Sequence, residues 1–183
     1  MNKKLKVINM WAGPGTGKST TSSGLFNIMK LQQYSVELIT EYAKQLVWER
    51  QHPTTFSNQL LLLAKQEQKQ KILVEQVDYC ITDSPILMCL SYMPQDYYSS
   101  FPLLTKEIFD SYENYNFFLK RVKAYDPRGR NQTYEEALEK DQEIKNLLIN
   151  HNVSYDEIEA DEYAHIRILD MIKNKEFNLE ENK

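Results

Sequence analysis

The stretch Ala12-Gly13-Pro14-Gly15-Thr16-Gly17-Lys18-Ser19 combines three glycines with one lysine and one hydroxyl. Those residue types suit one task, gripping a chain of phosphates. Glycines let the main chain turn where a Cβ would obstruct it. Consecutive N–H groups can then point at phosphate oxygens. A lysine at the end of such a loop reaches the β- and γ-phosphates, and the hydroxyl beside it can hold Mg²⁺. The residues expected to bind the nucleotide, ATP, are Gly13, Pro14, Gly15, Thr16, Gly17, Lys18, Ser19 and Thr20. Glycine is usual at the first position of the loop, and Ala12 is small enough to stand there.

Other polar residues have spacing that could serve the same chemistry. Glu41 follows an apolar run and opens a helical pattern. A carboxylate there can take the proton of an attacking hydroxyl or fix its orientation; otherwise it is a first-turn glutamate favoured by the helix dipole. Asp83, in Thr82-Asp83-Ser84-Pro85, ends another apolar run. It can bind Mg²⁺ through water or act as the base. The alternative is a helix N-cap, since Pro85 suits the first helical position. Lys120, Arg121, Lys123, Arg128 and Arg130 place five positive charges within eleven residues, with Pro127 and Gly129 among them. That pattern predicts a mobile basic lid over about 121–133 that closes on ATP and offsets charge on the transferred phosphoryl group. Arg128 and Arg130 are the favoured lid residues, because guanidinium forks onto two oxygens; Arg121 is a weaker candidate. Asp161 stands where an adenine edge could lie, or caps a helix.

The elements that must position these groups follow from periodicity. The run Leu5–Val7–Ile8–Met10 precedes the glycine-rich loop, and Lys18 to Leu31 can be helical. Four further apolar runs, Val36–Thr40, Tyr79–Thr82, Tyr115–Leu119 and Tyr155–Glu159, read as strands separated by helical intervals. The alternation predicts an α/β fold: a mostly parallel five-stranded sheet flanked by helices. Ligands of such sheets gather at the carboxyl ends of the strands, where the polar residues above stand. Glu41–Arg50 is expected to form a helix. So is Ser57–Gln76, with Ser57 as N-cap, Leu60, Leu61, Ala64, Ile72 and Val77 buried, and Lys65, Glu67, Lys69 and Lys71 in water. Thr133-Tyr-Glu-Glu136 reads as a capping box for a helix to about Asn150. Asp161 can start a last helix whose stripe is Ile166, Ile168, Leu169 and Ile172. Residues 175–183 form a polar tail expected to fray.

Tyr42, Trp48, Arg50 and Phe56 fall where a substrate would be covered; the aromatic ones could stack on a flat base or belong to the core. Gln66 and Gln70 could read a base edge or lie exposed.

The chain has 183 residues, 42% hydrophobic and 26% charged, with a net charge of −4. One domain spanning 1–183 is expected. The negative balance argues against a general nucleic-acid binder. No apolar run is long enough for a membrane span. Cys80 and Cys89 lie in apolar surroundings and read as reduced thiols of a cytoplasmic protein. His52, His151 and His165 show no metal-ligand spacing.

The phosphate loop, Thr40-Glu41-Tyr42-Ala43-Lys44, Ile81-Thr82-Asp83-Ser84, Asp126-Pro-Arg128-Gly-Arg130-Asn131 and Val153-Ser-Tyr-Asp-Glu-Ile-Glu159 occur in one order. In this the chain resembles the NadR-type P-loop kinases, the ribosylnicotinamide-kinase domain of a bacterial NAD regulator. It is also similar to small phage proteins labelled as ATPases. The resemblance implies a nucleoside-kinase-like fold and transfer of the ATP γ-phosphate to a hydroxyl. It implies Lys18 and Ser19 on phosphate and metal, Glu41 and Asp83 near the acceptor, and Arg128 and Arg130 on the lid. The sequence has no His-x-Gly-His motif of the regulator's adenylyltransferase half. The expected activity is an ATP- and Mg²⁺-dependent kinase acting on a small nucleoside or nucleotide, with nicotinamide riboside and deoxynucleoside monophosphates as candidates. Two alternatives stand beside it: phosphorylation of a base or end of DNA, and an ATP-binding switch with no small acceptor.

Overall fold

The computed structural model describes residues 4–50, 53–122 and 133–181. Five strands form one parallel sheet: β1 (Lys6–Trp11), β2 (Val36–Ile39), β3 (Tyr79–Thr82), β4 (Glu113–Lys120) and β5 (Asp156–Glu159), in the order β2-β3-β1-β4-β5. The helices are α1 (Lys18–Leu31), α2 (Tyr42–Trp48), α3 (Pro53–Ser57), α4 (Gln59–Lys71), α5 (Met88–Ser91), α6 (Phe101–Asp110), α7 (Tyr134–Asn150) and α8 (Ala164–Glu181). The expected α/β fold is therefore present, and the strand that feeds the glycine-rich loop is central.

Side chains alternate across β1, as a strand buried on both faces requires. Ile8 and Met10 join Leu25 and Met29 of α1 and Ile168, Leu169 and Ile172 of α8. Val7 and Trp11 join Leu63 of α4, Phe109 of α6, and Ile144 and Leu148 of α7. On that second face β1 also carries Asn9, buried against β4. Its Nδ2 donates to Asn114 Oδ1 at 2.9 Å and to Asn116 Oδ1 at 3.1 Å. Trp11 Nε1 donates to the same Asn116 oxygen at 3.1 Å, and Asn116 Nδ2 donates to Ser154 O at 3.1 Å. A buried amide is costly unless its partners are present. A slip of β1 against β4 would break these bonds, so they favour the register that places the loop.

Several local expectations need correction. The N-cap of α4 is Asn58, whose side chain accepts from Leu61 N; Ser57 ends α3 instead. The buried side of α4 is Gln59, Leu62, Leu63, Gln66 and Gln70. Leu60 and Ala64 are exposed, Leu61 and Val77 only half-buried, and Ile72, just past the helix end, is 67% exposed. Four consecutive leucines carry no helical phase, and the inner face takes glutamines, of which Gln59 bonds the Phe56 carbonyl and Gln66 bonds Thr82 and Tyr42. Ile166 likewise points outward while Ala164 is buried. The last helix does not stop at Asn174. Glu176 accepts from both Lys6 and Tyr79, and Lys175 pairs with Asp156, so contacts with β1, β3 and β5 hold the helix to Glu181. The capping box of α7 is formed: Thr133 Oγ1 accepts from Glu136 N, and Glu136 returns the bond. No helix among the described residues is long and apolar enough to cross a membrane. Cys80 and Cys89 are free thiols, each pushed up to about 12 by burial.

Candidate active site

The loop leaves the carboxyl end of β1 and enters α1. Gly15 (φ 82°) and Gly17 (φ 115°) adopt left-handed backbone that a Cβ disfavours, and Gly17 is also the N-cap of α1. The loop thus runs directly into the positive end of a fourteen-residue helix. Thr16 Oγ1 donates to Gly13 O at 3.2 Å and braces the loop across its base. Lys18 Nζ folds back onto the Ala12 and Gly13 carbonyls at 2.8 and 3.0 Å. Burial lowers its pKa, while Glu41, Asp83 and Asp141 pull it back up. Ser19 and Thr20 open α1 and are exposed, and Pro14 is half-buried.

Asp83 lies past β3, beside β1 in the sheet. It caps no helix: α5 begins only at Met88, with Leu87 at its N-cap. Its carboxylate instead accepts Ser19 Oγ at 2.5 Å and the Glu41 N–H at 3.0 Å. Glu41 stands at the N-cap of α2 but makes no side-chain capping bond. Burial raises its pKa; Lys18 lowers it and Asp83 raises it further. The structure thus brings Lys18, Ser19, Glu41 and Asp83 into one cluster.

Gln66 and Gln70 are both buried, not exposed. Gln66 Nε2 donates to Thr82 Oγ1 at 3.3 Å, and its Oε1 accepts from Tyr42 N at 3.4 Å. It therefore ties the start of α2 to the end of β3. Lys69 Nζ donates to Thr40 O at 3.1 Å and lies 5.6 Å from the centre of the Tyr42 ring. Trp48 is 77% exposed and so is not core. Arg50 is exposed and Phe56 half-buried. Asp161 accepts from Tyr163 N at 2.9 Å and from Arg167 at 2.7 Å, which fits the capping role.

Arg128 and Arg130 lie outside the described residues, as does most of the predicted lid. Arg121 is described, and it donates to Asp141 and the Ala137 carbonyl, both on α7. It pairs with Asp141 of α7, Nε to Oδ2 at 2.5 Å. Asp141 went unnoticed in the sequence because it looks like one more charge on a polar helix.

Among the described residues, no group of three or more His, Cys, Asp or Glu side chains could hold a metal ion. The Ser19 hydroxyl and Asp83 carboxylate offer two hard oxygen donors. That set fits Mg²⁺, which keeps several waters and takes phosphate oxygens besides one or two carboxylates.

A protein-family profile described as an AAA domain matches residues 7–165. No curated protein sequence matches the chain significantly. Solved structures do match in shape. Thymidylate kinase from Ehrlichia chaffeensis superposes with a TM-score of 0.63 at 14% identity, over 92% of this chain and 99% of that one. The NadR protein in complex with NR gives 0.64 at 14% identity, over 90% of this chain and 50% of that one. Deoxyadenosine kinase from M. mycoides gives 0.53 at 17% identity, over 94% and 99%. Loop, sheet order and profile agree: the chain belongs to the AAA-domain family and has the fold of the NadR-type and nucleotide P-loop kinases.

Proposed function

We propose that the protein is an ATP-dependent phosphotransferase that moves the γ-phosphoryl group onto a hydroxyl of a small nucleoside-type acceptor. The observation that carries this is the bonding of Asp83 to both Ser19 Oγ and the Glu41 main chain. It joins the phosphate loop to a carboxylate that no capping bond occupies. The nucleoside and nucleotide kinases of similar fold support the substrate class.

Glu41 would accept the proton of the acceptor hydroxyl. The freed oxygen forms its bond to the γ-phosphorus, the bond from that phosphorus to the β–γ bridging oxygen breaks, and ADP departs. Asp83 has both oxygens engaged, which leaves Glu41 the better base. Burial raises the pKa of Glu41, bringing it nearer neutrality, where a general base works best. A hydroxyl acceptor suits this site better than a phosphate, because a phosphate would add like charge beside Glu41 and Asp83. Lys18 would leave its loop carbonyls for the β- and γ-phosphates. Ser19 and Asp83 would hold Mg²⁺, which when bound supplies positive charge to the same phosphates. Arg128 and Arg130 are proposed to offset charge on the transferred group.

The test is phosphoryl transfer from labelled ATP to a panel of nucleosides and nucleotides that includes nicotinamide riboside and deoxynucleoside monophosphates. A phosphorylated nucleoside is the expected product. ATP hydrolysis with no phosphorylated product from any acceptor would instead identify a nucleotide-dependent switch.

A further inference from the structure

Asp83 bonds Ser19, just past the loop, whereas a second aspartate meets the loop at its start, Gly13. There Asp141 Oδ1 accepts from the Gly13 N–H at 2.5 Å. Its Oδ2 accepts from Arg121 Nε at 2.5 Å, and Arg121 also donates to the Ala137 carbonyl at 3.2 Å. The Arg121 and Asp141 side chains are only 9% and 15% exposed.

A second observation is steric. Gly13 has no positive φ, unlike Gly15 and Gly17. A Cβ built on it would meet Asp141 Oδ1 at 2.8 Å, the Ala137 carbonyl at 2.9 Å and the Arg121 guanidinium at 3.2 Å. Glycine is needed here because α7 comes so close, and not because the backbone turns. The approach is built into α7. Its capping box fixes the first turn, and Ala137 and Asp141, four residues apart, share the face that meets the loop.

We infer that Asp141 is a positioning residue of the phosphate site: it holds the loop at Gly13, and Arg121 cancels its charge so that a carboxylate can stand beside a polyphosphate. This rests on the proposal that the loop binds ATP. The guanidinium lies directly against that carboxylate, Nε to Oδ2 at 2.5 Å, so the two opposite charges stand together beside the loop. Without Arg121, the same carboxylate would oppose the incoming nucleotide.

Calorimetry of ATP binding with Mg²⁺, on the full chain, tests this with Arg121→Ala, Asp141→Asn, Asp141→Ala and the double variant Arg121→Ala/Asp141→Asn. Arg121→Ala should weaken binding about tenfold or more, because one partner of a buried pair is left alone. The double variant should recover most of that loss, since asparagine keeps an oxygen for the Gly13 N–H and carries no charge. Asp141→Ala should bind more weakly than Asp141→Asn, and the loss should appear in KM for ATP more than in KM for the acceptor. Arg121→Gln serves the same comparison if Arg121→Ala does not fold. Parent-like affinity on loss of Arg121, or no recovery in the double variant, overturns the inference while leaving ATP binding intact. If the parent itself binds no ATP, the phosphate-loop reading falls first and takes this role with it.

Discussion

Asp83 and Asp141 bond opposite ends of the segment from Gly13 to Ser19, and each uses both carboxylate oxygens. Asp83 takes a hydroxyl and an amide, from Ser19 and Glu41. Asp141 takes an amide and a guanidinium, from Gly13 and Arg121. The difference is the counter-charge. Both partners of Asp83 are neutral, so its negative charge remains available to a cation. The Asp141 charge is already matched by arginine, so its value lies in geometry. On the roles proposed above, two residues of one type, both bonded to the loop or its helix, are separated by their partners alone into a metal-facing and a loop-holding one.

The largest effect should come from the residue between them. Lys18→Ala is expected to lower turnover about 10³-fold or to background, because a preorganised positive charge at the phosphates is lost. Steady-state assay with the accepted nucleoside checks this. Next, Asp83→Asn should reduce kcat by about 10²-fold with a much smaller change in ATP affinity. Equal losses in kcat and affinity from Asp83→Asn and Asp141→Asn would erase the contrast drawn above.

Glu41→Gln should cost about 10²-fold in kcat, the range of a lost general base. It should also act on stability with a definite sign. A carboxyl whose folded pKa is raised binds its proton more tightly when folded. Its stabilising contribution is therefore present at low pH and lost as pH rises through that raised value. Glu41→Gln should accordingly melt higher than the parent at neutral pH and alike at acid pH, while the parent's kcat climbs over the same interval. A thermal melt series across pH reads both limbs.

Smaller effects test whether the site depends on the scaffold nearby. Gln66→Leu keeps the bulk but removes the bonds that tie Tyr42 N to Thr82, and should raise KM for the acceptor several-fold more than KM for ATP. The smallest concerns a cap far from the chemistry. Asn58→Ala should lower stability by about 1 kcal/mol in denaturant unfolding, and Ser57→Ala by much less.

The glycine-rich loop, β1 and α1 were legible because each has a local signature: turn-permitting residues, an apolar run and a helical period. The α7 capping box was legible for the same reason. The phase of α4 was not, because Leu60 to Leu63 offers four equal choices and the packing partner decides among them. Nor was the burial of Gln66, which depends on partners supplied by Tyr42 N of α2 and the Thr82 hydroxyl of β3.

What the sequence by itself determined is the phosphate loop, the α/β alternation and the placing of Glu41 and Asp83 at strand ends. These follow from neighbours a few residues apart, where periodicity and backbone preference act. Only the tertiary structure decided that Asp83 joins Ser19 to Glu41, that Arg121 turns to Asp141, and that Gly13 is glycine because a helix begun 121 residues later presses against it. Those contacts span distant parts of the chain, and charge pairing and close packing select them only once the sheet has brought the segments together.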